Sequence, residues 1–350
     1  MVPSRTEGID LEGLAGYLAE PLGLSGEPLE ADLIEGGRSN LTYILRQGDR
    51  SWVLRRPPLG RRQPTAHDMG REYRVLDGLD GTAVPVPTPL ALCRDESVIG
   101  AEFYVMERVE GRILRAPADV DLGPEEARRC SFALVDTLAA IHRTDFEAAG
   151  LGDLGRPDGY LRRQVSRWTG QLDSGIRVSP GLRELSRRLA ASVPERDLAG
   201  LVHGDFRMDN VVLDPEDPGR VIAVLDWEMA TLGDPLADLG MLLMYWRRPG
   251  ERCAAEAHEI TTAEGFIERP ELAARYGERT GFDLTDLDFF EVLAHFKLAV
   301  IVEGIHARNQ AGDTVGDSFE QIESIPASLV ETALELAESS NVPGLNGRTA

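Results

Sequence analysis

The chain has 350 residues, 42% hydrophobic and 27% charged, and a formal net charge of −22 at pH 7. That length suits two lobes sharing one cleft, and the acidic balance argues against a nucleic-acid binder, which needs a basic face. No apolar run approaches a membrane span, the N-terminus lacks the apolar stretch of an export signal, and three scattered cysteines without metal spacing (Cys93, Cys130, Cys253) read as buried thiols of a cytoplasmic protein.

Leu11, Leu14 and Leu18 recur at helical spacing and predict a short opening helix over 10–20. Three strands follow at 29–35, 41–46 and 52–56, joined by the turns Gly36-Gly37-Arg38-Ser39-Asn40 and Gln47-Gly48-Asp49-Arg50. Pro57-Pro58 ends the third strand. A helix over 65–79 carries Tyr73, Leu76 and Leu79 as its apolar stripe, and a proline-rich stretch leads to strands at 90–93 and 103–107. From Gly123 onward helical patterns dominate, at 124–144, 159–173, 181–192, 236–247, 256–267, 285–312 and 317–339. The expected fold is α+β and bilobal: a small antiparallel-sheet lobe over 1–108, a crossing at Glu107-Arg-Val-Glu-Gly111, and a large helical lobe over 109–350.

The segment Leu201-Val-His-Gly-Asp-Phe-Arg-Met-Asp-Asn210, followed by Val221-Ile-Ala-Val-Leu-Asp-Trp-Glu228, carries the chemistry. It supplies an aspartate, an asparagine five residues on, and a second aspartate ending an apolar strand, and these fit the three roles that phosphoryl transfer from ATP needs. Asp205 is expected to orient the acceptor hydroxyl and accept its proton, with Asn210 and Asp226 holding Mg²⁺ on the phosphates. Asp and Asn also populate ordinary turns. Both elements together, flanked by strand-like runs at 211–213 and 221–225, favour the kinase reading.

Lys297 is the single lysine among 37 basic residues. No glycine-rich loop precedes it, so a P-loop lysine is excluded, and its helical pattern is expected to lie far from any bound phosphates. No His-Glu-x-x-His pair and no Gly-x-Ser-x-Gly elbow occurs. Gly150-Leu-Gly-Asp-Leu-Gly155 matches a dinucleotide fingerprint but follows a helical pattern where a strand is required, so it reads as a loop.

The chain resembles the aminoglycoside phosphotransferase and choline-kinase-like branch of the protein-kinase fold. More narrowly, it is similar to the kinase-like domain attached to some acyl-CoA dehydrogenases. The resemblance rests on Glu35-Gly-Gly-Arg-Ser-Asn40, Val53-Leu-Arg-Arg-Pro-Pro58, Arg71-Glu-Tyr-Arg-Val75, Phe103-Tyr-Val-Met-Glu107, His203 to Asn210, Leu225-Asp-Trp-Glu228 and Gly233-Asp-Pro-Leu-Ala-Asp-Leu239. It implies that the 36–40 turn, with Gly37 and Ser39, covers the ATP phosphates. Arg55 stands where protein kinases place a phosphate-gripping lysine, and a one-residue register slip would give that role to Arg56. Glu72 is implied to pair with Arg55, the alternative being a solvated glutamate. Met106 is implied to back the adenine pocket, or reads as plain core. Glu107 and Val109 sit on the connector whose backbone meets the adenine edge.

Glu228 is implied as a further metal ligand, Asp238 as an anchor of the 203–210 loop, and His203 as a packing residue bonded to backbone near Asp226. The expected activity is ATP- and Mg²⁺-dependent phosphorylation of a small-molecule hydroxyl, because Asp226 runs into Gly233 within seven residues, with no long activation segment between. By resemblance the acceptor is a hydroxyacyl-CoA or lipid-like alcohol. An aminoglycoside acceptor and a nucleotide-binding pseudokinase scaffold are the alternatives.

Overall fold

The computed structural model describes residues 8–34, 40–59, 68–251, 259–310 and 324–347. Helix α1 (Leu11–Leu18) begins where the Asp10 carboxylate accepts the amides of Glu12 and Gly13, and it buries Leu14 and Leu18. Five antiparallel strands follow: β1 (Glu30–Leu33), β2 (Leu41–Gln47), β3 (Arg50–Arg56), β4 (Pro89–Cys93) and β5 (Phe103–Glu107), in the order β1-β2-β3-β5-β4.

The central strand β3 is buried from Trp52 to Arg56, so both its faces are covered. Alternation then sorts its side chains. Trp52 and Leu54 join Tyr43, Phe103 and Val105 in the core under α1, while Val53 joins Tyr104 and Met106 in the core shared with helix α2 (Met69–Leu79). Arg55 therefore faces α2. Arg56 points the other way and donates to the carbonyls of Gly8 and Ile99.

Asp68 caps α2 by accepting the Arg71 amide at 2.9 Å. The helical body comprises α3 (Pro124–His142), α4 (Tyr160–Gln171), α5 (Pro180–Ala191), α6 (Leu236–Tyr245), α7 (Arg269–Thr280), α8 (Leu287–Gln310) and α9 (Ile325–Ser339). Two short ribbons interrupt it: β6 (Gly200–Val202) pairs with β9 (Thr231–Gly233), and β7 (Val211–Leu213) with β8 (Val221–Val224). These ribbons place the 203–210 loop beside the turn that carries Asp226. Among the described residues no helix is long and apolar enough to cross a membrane.

Two expectations change. The helix read over 256–267 is absent from its described part, 259–267, where a single 3-10 turn, Ile260–Thr262, gives way to extended chain. The cause is local. Gly265 adopts φ +97° with its backbone against Pro124, and the Thr261 hydroxyl ties the amide and carbonyl of Arg247. The pair β6 and β9 was not expected, because three-residue strands carry too little pattern. Residues 35, 65–67 and 317–323, parts of expected elements, lie outside the described residues, as do Gly37, Ser39 and Cys253. Cys93 and Cys130 are free and buried, and burial pushes the Cys130 thiol up to about 12.

The long helix α8 packs against α6 through Gly240, where an added Cβ would lie 2.6 Å from the Phe290 carbonyl carbon and oxygen. A methyl there must push backbone from backbone. Gly240→Ala is expected to destabilise the fold by about 1–3 kcal/mol, the usual effect of overpacking. Urea titration of the two proteins reads this, and equal midpoints would refute the close approach.

Candidate active site

The loop after β6 holds the motif in place through one carboxylate. Asp238, fully buried on α6, accepts the amides of His203 (2.6 Å) and Gly204 (2.8 Å). Its Oδ2 also meets His142 Nε2 at 3.2 Å, and the other nitrogen of that ring meets the Tyr276 hydroxyl at 2.7 Å. Burial alone would raise the Asp238 pKa, but His142, His203 and these amides pull it below the ordinary carboxylate value. His203 packs on Phe206 and Trp227, and its Nε2 lies 2.9 Å from the Leu225 carbonyl. Asp238 and His203 thus take the supporting positions expected of them.

Asn210 turns its amide nitrogen onto Asp205, 2.8 Å from the carbonyl and 3.2 Å from Oδ2. No donor among the described residues bonds its carboxamide oxygen, which leaves that atom for a cation. Asp226 follows β8 at φ 65°, the one non-glycine residue with positive φ among those described. Such a backbone is uncommon outside glycine and marks functional turns. It swings the Asp226 carboxylate, 37% exposed, out toward Arg55.

The Arg55 guanidinium bridges two carboxylates, at 3.0 Å from Asp226 Oδ1 and 3.4 Å from Glu72 Oε2. Burial would weaken its hold on a proton, but Tyr104, Glu72 and Asp226 more than offset this, so it stays charged. Glu72 is no solvated glutamate. It is 1% exposed, accepts the Tyr104 hydroxyl at 2.8 Å and the Asn40 amide at 2.9 Å, and burial pushes it up to about 7 against the pull of Arg55 and Tyr104. The Asn40 amide also reaches Glu228 Oε2 at 3.2 Å, so one carboxamide spans the sheet lobe and the Asp226 turn.

Asp205 is partly buried, and desolvation raises its pKa against the pull of Arg207, His203 and Lys297. Arg207 Nε stands 3.5 Å from Asp205 Oδ2, its terminal nitrogen is 2.9 Å from Asp209 Oδ2, and its plane lies 5.4 Å from the Tyr245 ring centre. Met106 is buried opposite Val53. The Glu107 amide is already bonded to the Thr88 carbonyl at 2.8 Å, whereas the Val109 amide takes no acceptor among the described residues. Among those residues no three His, Cys, Asp or Glu side chains form a metal cage. Mg²⁺ needs none, since it is usually held by one or two protein oxygens, phosphates and water. The hard oxygens of Asn210 and Asp226 fit that donor set.

Sequence reasoning assigned no role to Asn40, Tyr104, Arg207 or Tyr245. Asn40, Tyr104 and Arg207 stood inside quoted motifs, but Tyr245 carried no local signal. Lys297 does lie on a helix, α8, yet its Nζ is 3.2 Å from the Gly204 carbonyl, next to Asp205. That neighbourhood was not expected, because periodicity does not say which loop a helix face meets. A groove of about 810 Å³ between α2 and α3, lined by Gly78, Asp80, Asp136 and Arg143, holds none of these residues.

A small sheet lobe, a helical lobe, and a loop and turn meeting between them define a protein-kinase-like phosphotransferase scaffold. The chain belongs to the phosphotransferase enzyme family (APH), whose model matches residues 30–290. It is 37% identical over 344 residues to chicken (Gallus gallus) acyl-CoA dehydrogenase family member 11, covering 96% of this chain and 44% of that protein. The chain thus spans under half the length of the curated relatives it matches. A Ralstonia eutropha protein assigned as an aminoglycoside phosphotransferase matches with a TM-score of 0.80 and 34% identity, over 93% of this chain and 98% of that one. The aminoglycoside phosphotransferase APH(4)-Ia, a thermostable mutant solved with ADP and hygromycin B, matches with a TM-score of 0.60 over 94% of this chain and 100% of its own. At 17% identity that likeness is one of fold.

The Glu72 shift has a consequence for stability. Its pKa of about 7 lies above the unfolded value of 4.5, so the folded state binds the extra proton. The contribution is full below about pH 4.5 and is lost as pH rises through about 7. From this group the wild type is expected to lose on the order of 3 kcal/mol across that window. Glu72→Gln, which cannot ionise, removes that part of the slope in urea titrations repeated against pH. An unchanged slope would contradict the burial of an ionisable Glu72.

Proposed function

We propose that this chain is an ATP- and Mg²⁺-dependent kinase that phosphorylates a hydroxyl of a small molecule, acting in the cytoplasm. The observation that carries this is the convergence of Asp205, Asn210, Asp226 and Arg55 between the lobes, with Asn210 on Asp205 at 3.2 Å and Arg55 on Asp226 at 3.0 Å. Family membership supports it. In this reading residues 1–108 cover the nucleotide, with Gly37 and Ser39 over its phosphates, and residues 109–350 carry the acceptor site. Asp205 Oδ takes the proton as the acceptor oxygen attacks the γ-phosphorus. The bond to the β-phosphate oxygen breaks, and ADP carries away the electron pair.

Asn210 and Asp226, with Glu228 beside them, would hold Mg²⁺, which spreads the developing negative charge when bound. Arg55 grips phosphate oxygens bidentately, as a point ammonium cannot, and Glu72 and Tyr104 hold it in position. Met106 backs the adenine ring, with the Glu107 carbonyl and Val109 amide at its edge. A pseudokinase scaffold would have no use for the proton acceptor, the metal oxygens and the phosphate cation together.

For the acceptor we favour a hydroxyacyl-CoA or lipid-like alcohol, because relatives named for acyl-CoA dehydrogenation carry this segment within a longer chain. The Ralstonia match keeps an aminoglycoside as the second reading. ATP turnover against a panel of hydroxyacyl-CoAs and aminoglycosides separates them. Turnover with the first group alone is expected, and turnover with aminoglycosides alone would reverse the order.

Asp205→Asn is expected to cut turnover by about 10²–10⁴-fold while leaving Mg·ATP affinity nearly intact. Asp226→Ala is expected to weaken Mg·ATP binding more than Asn210→Ala, because a carboxylate neutralises charge and an amide does not. Calorimetric titration and steady-state kinetics read both, and wild-type turnover in Asp205→Asn would remove that residue from the mechanism. Arg55→Ala should raise the KM for ATP and lower kcat, and Arg55→Lys should restore only part of the loss. If Arg56→Ala were the damaging change instead, Arg55 would lose its assignment.

A further inference from the structure

The single lysine of the chain sits in an unexpected place. Lys297, half-buried on α8, reaches the loop after β6, where its Nζ donates to the Gly204 carbonyl at 3.2 Å. An ammonium has three donors. Among the described residues this carbonyl is its one hydrogen-bond acceptor, and the Trp168 ring centre lies 5.9 Å away. Asp205, Asp238 and Arg167 are the charged groups around it. Burial costs an ammonium its hydration and lowers its pKa against the pull of the two aspartates. A methionine would fill similar space without that cost, so the reason for a lysine lies in the carbonyl it holds.

That carbonyl belongs to the peptide bond joining Gly204 to Asp205. Gly204 has φ +87°, and an added Cβ would stand 2.7 Å from the Met229 carbonyl oxygen, so glycine is required there. Glycine also leaves the next peptide plane free to rotate unless something outside holds it. On the amide side Asp238 takes the N–H groups of His203 and Gly204. The Asp205 N–H reaches His203 Nδ1 only at 3.3 Å. The carbonyl oxygen is held by Lys297. An aspartate from α6 and a lysine from α8 thus grip opposite ends of the one residue that precedes Asp205.

We propose that Lys297 is a positioning residue: by holding the Gly204 carbonyl it fixes the 204–205 peptide plane, and so the aim of the Asp205 carboxylate, for phosphoryl transfer but not for nucleotide binding. The proposal rests on the kinase reading of the site. A charge-assisted hydrogen bond of this kind is worth about a 10–100-fold change in rate when it acts only on the reacting geometry.

The test uses Mg·ATP with water as acceptor, so no acceptor need be known. Hydrolysis and Mg·ATP affinity are measured for wild type, Lys297→Met, Lys297→Arg and Asp205→Asn. Lys297→Met is expected to lower kcat for hydrolysis by about 10–100-fold with the Kd for Mg·ATP within about twofold of wild type. Lys297→Arg, which keeps charge and donors, is expected to recover part of that loss. Should Lys297→Met not fold, Lys297→Gln gives the same comparison of kcat with Kd. Wild-type kcat in the Met variant overturns the proposal. A fall in nucleotide affinity that matches the fall in kcat, or an Arg variant no better than Met, also overturns it. If Asp205→Asn abolishes hydrolysis and Lys297→Met does not, only the role of Lys297 fails. If Asp205→Asn leaves hydrolysis unchanged, the kinase reading itself fails.

Discussion

One buried guanidinium joins the two halves of this molecule. Arg55 leaves the central strand of the sheet lobe, meets Glu72 of α2 at 3.4 Å, and reaches Asp226 of the helical lobe at 3.0 Å. Removing one partner of such a pair strands a charge away from water and typically costs several kcal/mol, so the position of α2, the register of β3 and the turn at Asp226 depend on one another. Asn40 repeats the connection by bonding Glu72 and Glu228 with the same amide nitrogen. The carboxylates suited to a metal are thus linked, through two side chains, to the helix that sets the height of the sheet.

The second support lies beneath the loop. Asp238 collects two backbone amides and a histidine, His142 passes the contact to Tyr276 on α7, and Lys297 takes the carbonyl that the carboxylate cannot. The proposed chemistry asks little covalent work of the protein, and its rate depends on how well reacting groups are aimed and how well charge is met. Rigid contacts around a glycine-containing loop supply that aim. The groups that aim Asp205 come from α6 and α8, while those that aim Arg55 come from α2 and β5.

Much of this was legible in the sequence, for physical reasons. The order Asp205, Asn210, Asp226 and the bilobal pattern are local signals, and strand alternation leaves only two choices for which arginine faces α2. Arg55 is the one that faces it, since Val53 and Arg55 share the face packed on α2. Long-range pairings were hidden. Tyr104 meets Glu72 across 32 positions, and Lys297 meets Gly204 across 93. Nothing in either stretch signals its partner. The stretch 259–267 reads as a helix by periodicity, but Gly265 packed against Pro124 and a threonine bonded across the chain override that pattern. The ribbon of β6 and β9 is set by tertiary pairing and has no period of its own to read.

In the proposed reaction the cleft between the lobes takes Mg·ATP, and Arg55 exchanges its contact to Asp226 for phosphate while Glu72 keeps hold of it. A crystal structure with Mg²⁺ and a non-hydrolysable ATP analogue measures this directly. The metal is expected on Asn210 and Asp226, and Arg55 nitrogens within hydrogen-bond distance of phosphate oxygens, with the Glu72 contact retained. A nucleotide seated elsewhere, such as the groove between α2 and α3, with Arg55 still bonded to Asp226, would contradict it.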